Sequence, residues 1–164
     1  MQLATLVEAG VDLVSAMTFG SVPEAIGVAK ATAAAGLPLS MGFLVDAAGC
    51  LFTGPSLQEA IETVDAETGD ARPDFYGINC SHPTEFAPSL VDEPWVRRIR
   101  SLRPNASTTD KQSLCTIGHL ESGDPPQLGQ EMGALAQRFP HIDIWGGCCG
   151  TWDDHLDAIA GAVA

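Results

Sequence analysis

The chain has 164 residues, 45% of them apolar, with 21 Asp+Glu against 8 Lys+Arg and a formal net charge of −13. That length and composition suit one globular domain with a sizeable core and argue against a disordered chain. The negative surface repels phosphate backbones and anionic lipid, so neither nucleic acid nor membrane is an expected partner. No apolar run reaches the roughly 20 residues of a membrane span. Met1 to Gly10 reads as a mildly amphipathic helix without the basic region or cleavage site of a leader, which makes a cytoplasmic location the expectation. Five cysteines at irregular spacing do not form a disulfide framework, and metal-binding or catalytic use is the better reading.

In chain order, Val11 to Met17 is an apolar run of strand length. Val22 to Gly36 is Ala-rich, with Pro23 in its first turn and Gly36 at its stop, and predicts a helix. Pro38 to Val45 reads as a buried strand. Ser56 to Thr68 reads as a helix capped by Ser56 with Glu59 three residues on. Phe75 to Cys80 is a third strand, leading into a helical region, Pro83 to Leu102, that breaks near Pro94. A weaker strand is expected around Asn105 to Ser107, a polar loop over Lys111 to Asp124, and a helix over Pro125 to Phe139. Ile142 to Gly147 predicts the last strand. Thr151 is read as the cap of a final helix running to about Val163, with Asp154 in the capping-box position.

Near-continuously apolar strands separated by helices predict an α/β fold with a parallel sheet, in one domain over residues 1–164. About five β/α units suffice for an open doubly wound sheet, whereas a closed (β/α)8 barrel needs eight and typically about 250 residues. Periodicity leaves both open. Under either, Cys80, Cys148 and Cys149 fall at carboxyl ends of parallel strands, the rim where such folds place active sites.

Adjacent cysteines bind one metal only if the backbone bends sharply between them, and Gly146, Gly147 and Gly150 permit that bend. Three thiolates on Zn²⁺ leave one tetrahedral position free for a substrate thiol, whose pKa the metal lowers. The ordinary alternatives are buried thiols that fill space, or a strained disulfide between Cys148 and Cys149.

Gly146-Gly147-Cys148-Cys149-Gly150-Thr151, together with Gly77-Ile78-Asn79-Cys80, resembles the zinc signature of the homocysteine S-methyltransferase family. Val11-Asp12-Leu13 followed by Glu24-Ala25, the strand from Pro38 to Asp46, the helix start Leu57 to Ile61, and Asn79-Cys80-Ser81-His82-Pro83 occur in the expected order. The resemblance implies the later part, about strands four to eight, of a TIM-type (β/α)8 barrel. It implies Zn²⁺ held by Cys80, Cys148 and Cys149, and methyl transfer to homocysteine to give methionine. The implied small-molecule partners are homocysteine and a donor such as S-methylmethionine, S-adenosylmethionine or betaine; the missing N-terminal part of the barrel is the implied protein partner. It also allows a homocysteine-binding module of a cobalamin-dependent methionine synthase, or a truncated, non-catalytic zinc-binding remnant. Met17 stands where many members carry a glutamate that holds the substrate amine.

Asn79 and Thr18 are the candidate substrate-binding residues, each with a structural role as its alternative. His82 is a candidate zinc ligand or outer partner, or simply the start of a loop. Asn105 to Ser107 is expected to shape the rim, and Trp145 and Trp152 to pack around the cysteine loop. His119, His141 and His155 are expected at the surface, and Cys50 and Cys115 as free thiols without a metal role.

Overall fold

The computed structural model describes residues 2–109, 113 and 116–164. Among the described residues, five strands alternate with helices: α1 (Gln2–Ala9), β1 (Val14–Phe19), α2 (Val22–Ala34), β2 (Leu39–Phe43), α3 (Leu57–Thr68), β3 (Phe75–Asn79), α4 (Pro83–Phe86), β4 (Ile99–Arg103), α5 (Pro125–Arg138), β5 (Ile144–Trp145) and α6 (Asp153–Val163). All four strand pairings are parallel, in the spatial order β1-β2-β3-β4-β5. Spatial order therefore follows chain order, and there is no reversal of the kind that defines a doubly wound sheet. No helix among the described residues is long and apolar enough to cross a membrane.

Local chemistry explains most of these elements. Pro lies in the first turn of α2, and Gly36 follows its end at φ 73°. At the start of α3 the Ser56 hydroxyl accepts from the Glu59 N–H while the Glu59 carboxylate accepts from the Ser56 N–H, the expected reciprocal cap. β2 is buried at all five positions, as a strand covered on both sides must be. The core runs between the sheet and its helices: Met41, Phe43, Tyr76, Ile78, Ile99 and Leu102 from the strands meet Ala25, Ala29, Ile61, Val64, Leu128 and Met132 from the helices. On the opposite face Ser15, Met17, Ser40, Gly42, Gly77, Asn79, Ser101 and Arg103 line a shallow cavity of about 100 Å³.

Four expectations need correction. The region from Pro83 to Leu102 is not one broken helix: α4 has four residues, a 3-10 turn spans Pro94–Arg98, and Ile99–Arg103 is β4. The weak strand expected at Asn105 to Ser107 lies just past that strand, in non-strand backbone. β5 is only Ile144–Trp145, in register with Ser101 and Leu102 of β4, although single backbone bonds to the β4 segment continue on either side. Trp152, not Thr151, is the N-cap of α6, with His155 rather than Asp154 at the reciprocal position. Within the expected loop from Lys111 to Asp124, residues 111, 112, 114 and 115 lie outside the described residues, and the free thiol expected at Cys115 is among them.

Candidate metal centre at the sheet rim

Cys80 follows directly on β3, and Cys148 and Cys149 lie between β5 and α6. Parallel neighbours carry their carboxyl ends to one edge, so residues 68 and 69 apart in sequence meet there. The Cys80 and Cys149 sulfurs are 3.9 Å apart and those of Cys148 and Cys149 are 4.0 Å apart. Cys80 and Cys148 are paired as a disulfide, at a Cα–Cα separation of 5.5 Å. Together they form the one group of three metal-ligating side chains found among the described residues, all ligand atoms lying within 4.8 Å of one another. Tetrahedral zinc with Zn–S bonds of about 2.3 Å places its sulfurs about 3.8 Å apart, close to the two open separations. The disulfide and a metal are alternative states of the same two sulfurs, because a metal takes thiolates.

The backbone that carries the sulfurs is held from several sides. Cys80 itself sits at φ 56° and Thr18, at the end of β1, at φ 68°, a left-handed conformation that costs an ordinary residue about 1–2 kcal/mol. The Cys80 N–H donates to the Arg103 carbonyl at 3.2 Å, and its own carbonyl accepts from Asn105 Nδ2 at 3.1 Å. Across the rim, the Cys148 N–H donates to the Pro104 carbonyl at 2.8 Å and the Ala106 N–H to the Cys149 carbonyl at 3.0 Å. The Thr151 hydroxyl donates to the Cys148 carbonyl at 2.7 Å, closing the cysteine turn instead of capping α6. Gly150 makes that turn possible: it has φ 77°, and a Cβ there would stand 2.1 Å from the Glu121 carbonyl oxygen.

A cavity of about 330 Å³ opens beside the sulfurs, with Cys80 and Cys149 on its wall alongside Leu44, Phe52, Asn105 and Leu120. Its walls are mainly apolar, which favours displacement of water from a bound molecule. Asn105 is buried, and its Oδ1 has no hydrogen-bond partner among the described residues. An acceptor left open beside three sulfurs suits a site built to receive a further group.

The expected residues fare unequally. Asn79 is 2% exposed and Thr18 is exposed, and their polar groups engage each other: Asn79 Oδ1 accepts from the Thr18 N–H at 2.9 Å and Nδ2 donates to Thr18 Oγ1 at 2.6 Å. His82 does not join the sulfur group. It caps α4 through Nδ1, which accepts from the Thr84 N–H at 3.3 Å, and its Nε2 lies 3.6 Å from the Glu131 carboxylate. Burial holds its pKa below the usual histidine value, against the attraction of Glu131 and Glu85. His155 corrects the surface expectation: it is fully buried, accepts from the Trp152 N–H through Nδ1 and reaches the Ser122 carbonyl through Nε2. His119 is exposed and His141 half-buried. Trp145 packs against the core, whereas Trp152 is 57% exposed. Cys50 is a free, half-buried thiol that does not belong to the group of three.

Two contributors went unread in the sequence. Ser81 is buried, and its hydroxyl accepts from the Val45 N–H at 3.1 Å while donating to the Val45 carbonyl at 2.7 Å. Glu121 accepts from the Ser107 and Thr109 hydroxyls. Only the adjacency of Ser81 to Cys80 could have flagged the first; nothing local flags the second.

The family described as homocysteine S-methyltransferase matches residues 1–163. A protein named methionine synthase, from Mycobacterium leprae (strain TN), is 28% identical over 143 residues, covering 85% of this chain and 11% of that protein. The chain thus spans only a small part of the curated relative's length.

Proposed function

The chain belongs to the homocysteine S-methyltransferase family, and from that premise we propose that it forms the thiol-activating part of an enzyme that methylates homocysteine to methionine. The observation that carries this reading is the convergence of Cys80, Cys148 and Cys149 at one point on the rim, with all three sulfurs within 4.8 Å. These three residues would hold Zn²⁺. When bound, zinc supplies the charge that keeps an acceptor thiol deprotonated at neutral pH. The chain's own residues do the rest. Leu44, Phe52 and Leu120 give the cavity its apolar wall, and the Cys148–Cys149 turn is fastened to the segment after β4. Asn79 and Thr18 belong to the same rim and bond to each other there. Holding an acceptor thiol beside a methyl donor supplies rate through orientation alone; S-methylmethionine, S-adenosylmethionine or a similar small donor is the expected class.

In the same reading, residues 1–164 are one barrel domain and the sheet is the later part, about strands four to eight, of a (β/α)8 barrel. The unreversed parallel order supports this, since right-handed crossovers taken always in one direction put every helix on one face and leave the other as a barrel interior. The N-terminal part of such a barrel is then the partner that completes it.

A second reading, a homocysteine-binding module of a cobalamin-dependent methionine synthase, is favoured by the relative named methionine synthase, of which the chain covers 11%.

The test starts from reduced protein. One zinc per chain is expected, with none in the Cys148→Ala/Cys149→Ala variant; zinc retained in full by that variant sinks the assignment. Methionine formed from homocysteine and a sulfonium donor supports the first reading. Methionine formed only from methylcobalamin supports the second, and zinc uptake without methionine from any donor marks a non-catalytic remnant.

A further inference from the structure

The tripeptide Asn79-Cys80-Ser81 at the end of β3 is gripped through side chains by both neighbouring strands and by the strand beyond one of them. Asn79 uses both ends of its amide on Thr18, 61 residues away at the end of β1. Ser81 uses its hydroxyl as donor and acceptor on the Val45 peptide, just beyond β2. Asn105, just beyond β4, donates to the Cys80 carbonyl. Asn79 and Ser81 are 2% and 0% exposed; the Ser81 bonds to Val45 are wholly shielded from water, and those of Asn79 are shielded on its own side, Thr18 being exposed. Gly42 completes the clasp by its missing side chain, since a Cβ there would lie 2.5 Å from Asn79 Oδ1. The two residues with positive φ other than glycine in the described chain, Thr18 and Cys80, are the ones this clasp ties down. Strained backbone persists only where surrounding contacts over-determine it, and here they fix the conformation of the cysteine that comes from a strand of its own, apart from the Cys148–Cys149 turn.

We propose that Asn79 and Thr18, together with Ser81, are positioning residues that preset the Cys80 thiolate for metal binding, with Asn79 acting on Cys80 through its bond to Thr18 rather than on substrate. The inference rests on the zinc reading above, because it concerns a ligand of that site. It differs from a merely structural role in what it moves. A fold-stabilising amide would change the melting temperature and leave the metal's surroundings alone. A positioning amide changes the affinity and the ligand field of the metal in protein that is still folded.

Reduced wild-type protein, Asn79→Ala, Thr18→Val and Thr18→Gly are titrated with Co²⁺ and with Zn²⁺ against a chelator, and folding is checked by circular dichroism. Loss of an outer partner of a metal ligand typically weakens binding by about 10–100-fold. Asn79 and Thr18 bond to each other and not to Cys80 itself, so we expect a loss at the lower end of that range, about tenfold, in Asn79→Ala and Thr18→Val, with a weakened or shifted thiolate-to-cobalt absorption band. Thr18→Gly keeps the N–H bond to Asn79 and adopts φ 68° freely, and is expected to fall between wild type and Thr18→Val. Affinity and cobalt spectrum unchanged in folded Asn79→Ala and Thr18→Val would overturn the proposal. If Asn79→Ala fails to fold, Thr18→Val alone decides, since the swap conserves volume. If wild-type protein shows no thiolate-to-cobalt band at all, the zinc reading fails instead, which keeps the two failures distinct.

Discussion

Glu121 takes two hydroxyl hydrogen bonds on one carboxylate oxygen, from Ser107 at 2.6 Å and Thr109 at 2.7 Å. Both donors favour the charged form and hold its pKa below the usual glutamate value. The unfolded chain therefore binds this proton at higher pH than the folded one. Glu121's contribution is fully present above the ordinary glutamate value of about 4.3 and is lost as pH falls through the depressed folded value. Below about pH 4.5 the melting temperature of the wild type should drop more steeply than that of Glu121→Gln. Glu59 and Asp143 also have lowered values, but they are common to both proteins and cancel in the difference. Superimposable acid limbs would show that the two hydroxyls do not stabilise the carboxylate. The consequence reaches the sulfurs, because the Glu121 carbonyl lies where a Cβ on Gly150 would have to go.

At the scale of elements, α3, β3 and the turn before β4 are joined through Asp65. Its carboxylate accepts from the Tyr76 hydroxyl at 2.8 Å, from Arg98 Nε at 2.9 Å and from Arg98 Nη2 at 3.2 Å, while Arg98 also donates to the Pro73 and Asp74 carbonyls. Burial, then the bond to Asp65, pushes the Tyr76 phenol far above its ordinary range, so it stays a neutral donor at any workable pH. Tyr76→Phe removes one bond and should cost about 1 kcal/mol by urea denaturation, whereas Asp65→Ala leaves the Tyr76 hydroxyl and Arg98 Nε without their acceptor and should cost more, about 2–3 kcal/mol. Equal costs would mean that the network does not act as a unit. These contacts also mark what could be read beforehand. The caps and stops of α2 and α3 are local, spelled by Pro23, Gly36, Ser56 and Glu59, and were legible. β4 was not: Ile99 to Arg103 carries two arginines in five residues, and it becomes a strand only because β3 and β5 pair with it. The three cysteines were legible because their residue types and flanking glycines declare their chemistry. Their supports were not, since Thr18 meets Asn79 across 61 residues and Asn105 meets Cys80 across 25, separations that no local pattern encodes. His155 was misread for the same reason: its burial depends on the Ser122 carbonyl, 33 residues away.

For the whole molecule, the rim site fastens β3 to the turn after β5 across 68 residues of chain. β5 itself is held to the sheet by just two residue pairs, so the last strand depends on what lies beyond its end. A ligand that binds the folded state alone stabilises it by RT ln(1 + [L]/Kd), roughly 2.7 kcal/mol at a hundredfold excess over Kd. For a chain of this size each kcal/mol moves the melting temperature by about 2–4 °C, so zinc at that excess should raise it by roughly 5–10 °C. The reduced protein should therefore melt higher with zinc than with a chelator, and amide exchange should slow most in β5 and the start of α6. The Cys148→Ala/Cys149→Ala variant should show neither effect. An oxidised sample, with Cys80 and Cys148 joined, should also be indifferent to zinc, because the metal then finds only the Cys149 sulfur free. Identical melting of reduced wild-type protein with zinc and with chelator would mean that the three sulfurs meet without binding the metal, and would remove the ground for assigning them a part in methyl transfer.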